Sequence, residues 1–301
     1  MEYTTFGKSS IRVSKLGLGG APLGGDFGPV TDKQVIELID RALELGINFI
    51  DTAPLYGRGE SERRIGKAMQ GRRENVVLAT KAVTRGVPYS YDNVIRSVED
   101  SLRRIGTDYV DLIQMHELDP SNMEIGMTET IPAFLKLKEQ GKVRAIGVNA
   151  HNPSLLLPFI QSGAIDSVQT FSRYMLIDYT AMDELLPAAR KHGVSVINGS
   201  VLGMGLLADA PAPFMLHRAQ LLEAAEHRIR EIAFLRKTEH KGLIEPAMRF
   251  SLASPDIAVT LTGTTSLRSL ALNAGYCDGV NLPPGDLERL LGLFPGQPLA
   301  W

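Results

Sequence analysis

Short apolar runs alternate with amphipathic stretches from Leu16 nearly to the end of the chain. That alternation predicts a succession of βα units. Candidate strands fall at 16–18, 48–50, 76–80, 110–114, 145–148, 167–170, 195–198 and 258–261. Helical spacing occupies 32–45, 91–105, 128–140 and 180–192, and Gly46, Gly106, Gly141 and Gly193 follow these stretches. A glycine there supplies the left-handed closing residue that side-chain-bearing residues resist. Eight strands with intervening helices predict a parallel (β/α)8 TIM barrel, with a doubly wound sheet as the runner-up. Residues 1–13 read as an N-terminal β-hairpin, with Tyr3 to Phe6 and Ile11 to Val13 flanking the turn Gly7-Lys8-Ser9-Ser10. Such a hairpin can cap the barrel bottom. The long charged stretch 211–241 predicts an inserted helix before the last βα unit, and 1–301 reads as one barrel domain.

Composition narrows the function more than the fold. The 301 residues are 44% hydrophobic and 22% charged, and 32 basic against 34 acidic residues give a net charge of −2. A nucleic-acid surface is not expected from that balance, so the expected partner is a small molecule. Cys277 is the lone cysteine, which excludes an internal disulfide and any cysteine-based zinc site. The start lacks a leader pattern and no long apolar run occurs, so the chain reads as cytoplasmic with no membrane association.

In a (β/α)8 barrel the reacting groups come from the C-terminal strand ends. Asn48-Phe49-Ile50 runs into Asp51, the 76–80 run into Lys81, and the 110–114 run through Met115 into His116. Taken singly, each has a structural explanation as a cap, a solvated cation or a satisfied histidine. Adjacent strands would bring all three to one mouth, with Tyr56 a few residues past Asp51. A tyrosine ordinarily titrates near 10, and a nearby ammonium favours its phenolate. Lys81 can play that part, Asp51 can orient Lys81, and His116 can orient a substrate oxygen. No covalent nucleophile is present in the set, so hydride transfer with acid–base help is the natural chemistry.

These residues resemble the aldo-keto reductase family. The stretch Gly46 to Ala53 with Tyr56-Gly57 and Glu60-Ser61-Glu62 is similar to the family's first signature, and its catalytic tetrad falls on Asp51, Tyr56, Lys81 and His116. The resemblance implies a bound NAD or NADP, with Tyr56 as general acid in carbonyl reduction and general base in alcohol oxidation. It further implies that Asn149 and Gln169 hold the carboxamide, that 200–205, including Ser200, Leu202 and Gly205, forms the pyrophosphate loop, and that Gly20, Ala21 and Asp51 line the cofactor. Gly263, Thr264, Thr265, Arg268 and Asn273 match the adenosine segment. Two departures stand out: Ala150 replaces a usual Asn, and Gly199 lies where many members place an aromatic ring against the nicotinamide. Arg268 is the only cation near the 2′-phosphate position, with Gly263, Thr264, Thr265 and Ser269 around it, so NAD is preferred over NADP.

Runs such as 27–30, 130–132, 135–138, 185–187 and 204–207 are similar to the L-galactose dehydrogenase and L-fucose (D-threo-aldose) 1-dehydrogenase group. That likeness implies oxidation of a sugar's anomeric hydroxyl to a lactone. Phe27, Leu55, Glu117, His151 and Tyr174 are the loop candidates for substrate contact, alongside Tyr56 and His116. Two alternatives stay open: an NADPH-dependent reductase of aldehydes or ketones, and a redox-sensing partner resembling potassium-channel β subunits. Other signals carry no chemistry. The glycines from Gly17 to Gly25 lack the strand, turn and helix context of a dinucleotide fingerprint, with Pro22 and a long loop intervening. His192, His217, His227 and His240 show no metal-ligand spacing, and Cys277 reads as a buried small side chain.

Overall fold

The computed structural model describes residues 1–84, 86–238 and 242–301, so His240 and the end of the 211–241 stretch lie outside the described residues. Two short strands, β1 (Tyr3–Thr5) and β2 (Arg12–Ser14), pair antiparallel as the hairpin. Eight parallel strands follow: β3 (Leu16–Gly19), β4 (Phe49–Asp51), β5 (Val77–Ala82), β6 (Val110–Met115), β7 (Val143–Ala150), β8 (Ser167–Phe171), β9 (Ser195–Gly199) and β10 (Ile257–Thr262). Each pairs with its neighbour in chain order, and β10 closes on β3 through Thr260 opposite Leu16 and Leu261 opposite Gly17. The sheet is therefore a closed barrel, and the doubly wound alternative falls.

Alternate residues of each strand point inward. Phe49, Ala79, Leu112, Ala145, Ile197, Val259 and Leu261 fill the barrel, and Phe6, Ile11 and Val13 of the hairpin belong to the same cluster. The Phe6 and Phe49 rings lie 6.0 Å apart, so the hairpin seals the end where the strands begin. Gly17 makes room for this packing. A Cβ there would stand 2.8 Å from Val259 Cγ1 and 3.0 Å from Phe49 Cδ1.

The structure lengthens several predicted elements. β7 begins at Val143, ahead of the apolar run, because Arg144 faces outward and pairs with buried Asp111 on β6 at 2.6 Å. One polar residue on a strand's outer face hid two positions. The 128–140 stretch splits into a π-type turn, Gly126–Thr130, and an α-helix, Ile131–Glu139. The 180–192 stretch likewise divides, into a 3-10 turn Thr180–Met182 and a helix Leu185–His192. Pro187 has no N–H to donate and is tolerated only in a first turn, which fits that late start. A one-turn helix, Ala21–Gly24, follows β3 directly, where a plain loop is expected from the glycine cluster. The insertion contains the helix Ala219–Glu231, preceded by the 3-10 turn Pro213–His217. No helix among the described residues is long and apolar enough to cross a membrane.

Candidate active site

Above the apolar filling, the inward rows turn polar. On β4 Asp51 follows Phe49, on β5 Lys81 follows Ala79, and on β6 Gln114 follows Leu112 with His116 just beyond. Lys81 and Asp51 are buried, and Lys81 Nζ donates to Asp51 Oδ2 at 2.7 Å and to the Thr52 carbonyl at 2.8 Å. Tyr56 is half-buried in the turn after β4, hydrogen-bonded to Lys81, whose ammonium lies 4.9 Å from the phenol ring centre. The His116 ring stands edge-on to Tyr56, with centroids 6.0 Å apart. The four side chains expected from separate stretches of chain thus converge at one end of the barrel.

Two glycines hold the Tyr56 turn. Gly57 has φ of 59°, and a Cβ on it would meet the Gly24 carbonyl at 2.2 Å. A Cβ on Gly24 would in turn meet Gly57 N at 2.6 Å and Tyr56 C at 2.7 Å. Backbone therefore lies on backbone, and Asp26 accepts the Gly57 N–H at 2.9 Å. The glycine cluster near β3 has its explanation here: it lets the chain that carries the tyrosine come close.

Burial pushes the Tyr56 phenol above its ordinary pKa, and Lys81 opposes that push by favouring the phenolate. The net direction is upward, so the ammonium offsets burial only in part, where the sequence reading had assigned it a net lowering. For the buried ion pair, desolvation works against the Lys81 charge, but Asp51 and Tyr56 outweigh it and hold the ammonium protonated.

Sequence reasoning missed two supporting residues. Gln114 donates from Nε2 both to Asp51 Oδ1 at 3.2 Å and to Gln169 Oε1 at 2.9 Å, and Gln169 also hydrogen-bonds the Asp51 carboxylate. A glutamine inside the predicted 110–114 strand, two residues before His116, was the available signal. Tyr89 donates its hydroxyl to the His116 carbonyl, a contact that no local sequence pattern marks.

The remaining candidates divide. Asn149 accepts the Glu117 N–H at 3.1 Å and so ties the loop after β6 to β7. Gly20 donates to the Asp51 carbonyl at 2.7 Å and accepts from Ser61, which commits both backbone groups within the protein; Ala21 opens the one-turn helix beside it. Asn273 is buried, donating to Thr262 Oγ1 at 2.8 Å. Thr264, Thr265 and exposed Arg268 cluster where β10 passes into the helix Leu267–Gly275, capped by Ser266; Gly263 lies against Pro22. Ser200, Gly203, Met204 and Gly205 all have positive φ, so the stretch holding Ser200, Leu202 and Gly205 is a tight turn, closed by the Gly203 N–H on the Ser200 carbonyl and the Gly205 N–H on that of Leu202. Glu117 lines a cavity of ≈ 560 Å³ with His116, Tyr89, Asp119, Ser121 and Asn122. Leu55 is half-buried beside Tyr56, and exposed Phe27 meets Phe214 of the insertion edge-on at 6.2 Å.

Tyr174 is a correction. It is buried, stacked on Phe250 at 4.7 Å and hydrogen-bonded to Ser254, so it packs between barrel and helix and not at the mouth. Ser172, with φ of 59°, turns the chain after β8 and directs Tyr174 away. His151, by contrast, reaches the mouth, with its ring 5.1 Å from that of Phe171 at the end of β8.

The residues that could hold a dinucleotide are those of the 200–205 turn and of the Ser266-capped helix after β10. Comparison with known proteins shows the family. The Aldo/keto reductase family model matches residues 15–293. L-galactose dehydrogenase of Arabidopsis thaliana is 33% identical over 100% of this chain and 97% of its own. D-threo-aldose 1-dehydrogenase of a Pseudomonas species is 25% identical, covering 92% and 93%. The holo form of an aldo-keto reductase from Bacillus halodurans superposes with a TM-score of 0.81 at 29% identity, covering 100% and 98%. The chain belongs to the aldo/keto reductase family, oxidoreductases that act on CH–OH or carbonyl groups with a nicotinamide cofactor.

Proposed function

We propose that this protein oxidises an aldose at its anomeric carbon to the lactone, with NAD as hydride acceptor. The observation that carries the substrate reading is the cavity beside His116, where Glu117 and the mutually bonded Asp119, Ser121 and Asn122 face Val87, Pro88, Tyr89 and Ile125, a mixed lining suited to both the hydroxyls and the C–H faces of a sugar. A site built to pair hydroxyls discriminates far more strongly than an apolar one. The two relatives whose names denote sugar dehydrogenases lend support.

A nicotinamide cofactor, when bound, would supply the acceptor for the hydride that leaves the sugar's anomeric carbon. Tyr56, as its phenolate, accepts the proton of the anomeric hydroxyl, and His116 fixes that oxygen beside it. Lys81 favours the phenolate at that moment, and the Asp51 carboxylate keeps Lys81 charged and aimed. Gln169, tied through Gln114 to Asp51, links the carboxamide seat to the ion pair. In the reverse direction Tyr56 donates the proton to a carbonyl oxygen.

The preference for NAD rests on Arg268, the one cation at the start of the helix Leu267–Gly275; a 2′-phosphate is held best by a bidentate or doubled cation. The test is steady-state oxidation of a panel of aldoses with each cofactor, followed by formation of reduced nicotinamide and by lactone analysis. Lactone formation with NAD is expected. Strong preference for NADPH, with reduction of simple aldehydes and no aldose oxidation, refutes the proposal in favour of a carbonyl reductase.

A further inference from the structure

We infer that the ring N–H groups of His151 and Trp301 form a two-donor seat for one uncharged oxygen of the substrate, a hydroxyl, carbonyl or ring oxygen. The inference rests on the sugar reading for the identity of that substrate, and on geometry for the rest. His151 follows β7 in the inward row that contains Asn149, and Phe171 ends β8 in the row of Gln169. The Trp301 ring lies 6.0 Å from that of His151. His151 Nε2 and Trp301 Nε1 are both buried, and neither has a hydrogen-bond partner among the described residues.

The proton positions follow from the neighbours. Arg173 Nη2 lies 3.4 Å from His151 Nδ1, and a guanidinium only donates, so Nδ1 accepts and the ring proton sits on Nε2. An indole nitrogen is a donor in every state. Both orphaned atoms therefore need an acceptor, which a single oxygen lodged between the rings supplies. A purely donating group such as an ammonium would satisfy neither.

The seat is built from distant parts of the chain. Arg173 Nη1 donates at 2.9 Å to Asp178 Oδ2 and at 2.9 Å to the Leu299 carbonyl. Leu299 N donates back to Asp178 Oδ2 at 2.8 Å. This buried clamp holds the 292–301 tail against the loop after β8 and delivers Trp301 to His151. Because Asp178 balances Arg173, the seat offers hydrogen bonds without net charge, which suits a sugar oxygen better than a carboxylate. Burial, and then the charge of Arg173, hold His151 down to about 4, so its neutral donor form persists at neutral pH.

Paired substrates test the inference: erythrose against butanal, four-carbon aldehydes that differ in their hydroxyls, both followed in the reducing direction. His151→Phe and Trp301→Phe each remove one donor while keeping a ring. Each is expected to raise the KM for erythrose roughly 3- to 10-fold, the range for one lost hydrogen bond, with kcat and the KM for butanal within about twofold of the parent. His151→Gln restores a donor and is expected to recover most of the erythrose KM. Trp301 is the sole tryptophan, so its emission should change as erythrose saturates the protein. Unchanged erythrose KM in both phenylalanine variants, or equal rises for both aldehydes, overturns the seat. Failure of aldose oxidation with these reductions intact overturns the sugar-oxidation reading alone.

Discussion

Lys81→Met isolates the energetic role of the buried pair at the centre of the site. The Lys81 and Asp51 side chains are 1% and 3% exposed, and methionine retains the length of the lysine stem while removing its charge. Asp51 then keeps only the amide groups of Gln114 and Gln169 as partners. Removing one member of a buried ion pair typically costs about 3–5 kcal/mol, because the other charge is left uncompensated. Replacing both members by neutral groups is far cheaper, so adding Asp51→Asn to Lys81→Met should recover about 2 kcal/mol or more. Urea unfolding of parent, single and double variants measures the cycle. The pH dependence has a definite sign. Burial already raises Asp51, and without Lys81 only the hydrogen bonds of Gln114 and Gln169 oppose it among the described residues, so its folded pKa moves further above the unfolded value of about 3.9. The stability deficit of the single variant is therefore large at neutral pH and shrinks as pH falls toward that unfolded value. A single variant within about 1 kcal/mol of the parent at neutral pH, or a double variant no more stable than the single, refutes the assignment of an uncompensated buried charge.

Tyr56→Phe should lower turnover by roughly 100-fold or more, the scale of a lost general acid–base group, while NAD affinity measured by fluorescence titration stays near the parent's. In the parent, oxidation should rise with pH as the phenol ionises and reduction should fall, and a flat profile in both directions would exclude Tyr56 as the titrating group. Gly24→Ala places a methyl 2.6 Å from Gly57 N, backbone that cannot yield, so it should cut kcat at least about tenfold with a stability loss of about 1–3 kcal/mol; parent-like kinetics would show that the Tyr56 turn is held by other contacts. Tyr174→Phe should leave every KM unchanged and cost about 1 kcal/mol of stability for the lost bond to Ser254; a raised aldose KM would restore Tyr174 to the substrate site. Histidine NMR should find His151 titrating at about 4, and its stability contribution, complete above about pH 6.5, should fade as pH drops from there through the folded value, a window that His151→Phe abolishes.

The barrel and the convergence of Asp51, Lys81 and His116 were legible because both follow from local pattern. Apolar runs that end in a polar residue mark strand ends, and adjacent parallel strands present those ends side by side. What local pattern could not carry was direction after the strand stops. Tyr174 and His151 both lie just past a strand, yet a left-handed Ser172 sends one outward while the other continues the inward row. Gln114 was hidden for a different reason: period-two alternation flags a polar residue on a solvent face, whereas every residue of β6 is buried. The contacts of Arg173 and Asp178 with Leu299 join positions more than a hundred residues apart, a separation at which pairing leaves no trace in a single sequence.

The hairpin plug and the clamped tail put Met1 and Trp301 at opposite poles of the barrel. Peptide joined ahead of Met1 emerges beneath the sealed floor, remote from the reacting groups. Anything appended after Trp301 begins beside His151 and must thread past the rim of the cleft. Purification handles and fluorescent fusions therefore belong at the amino end, and activity lost on carboxyl-terminal fusion would itself report how closely that last indole guards the entrance.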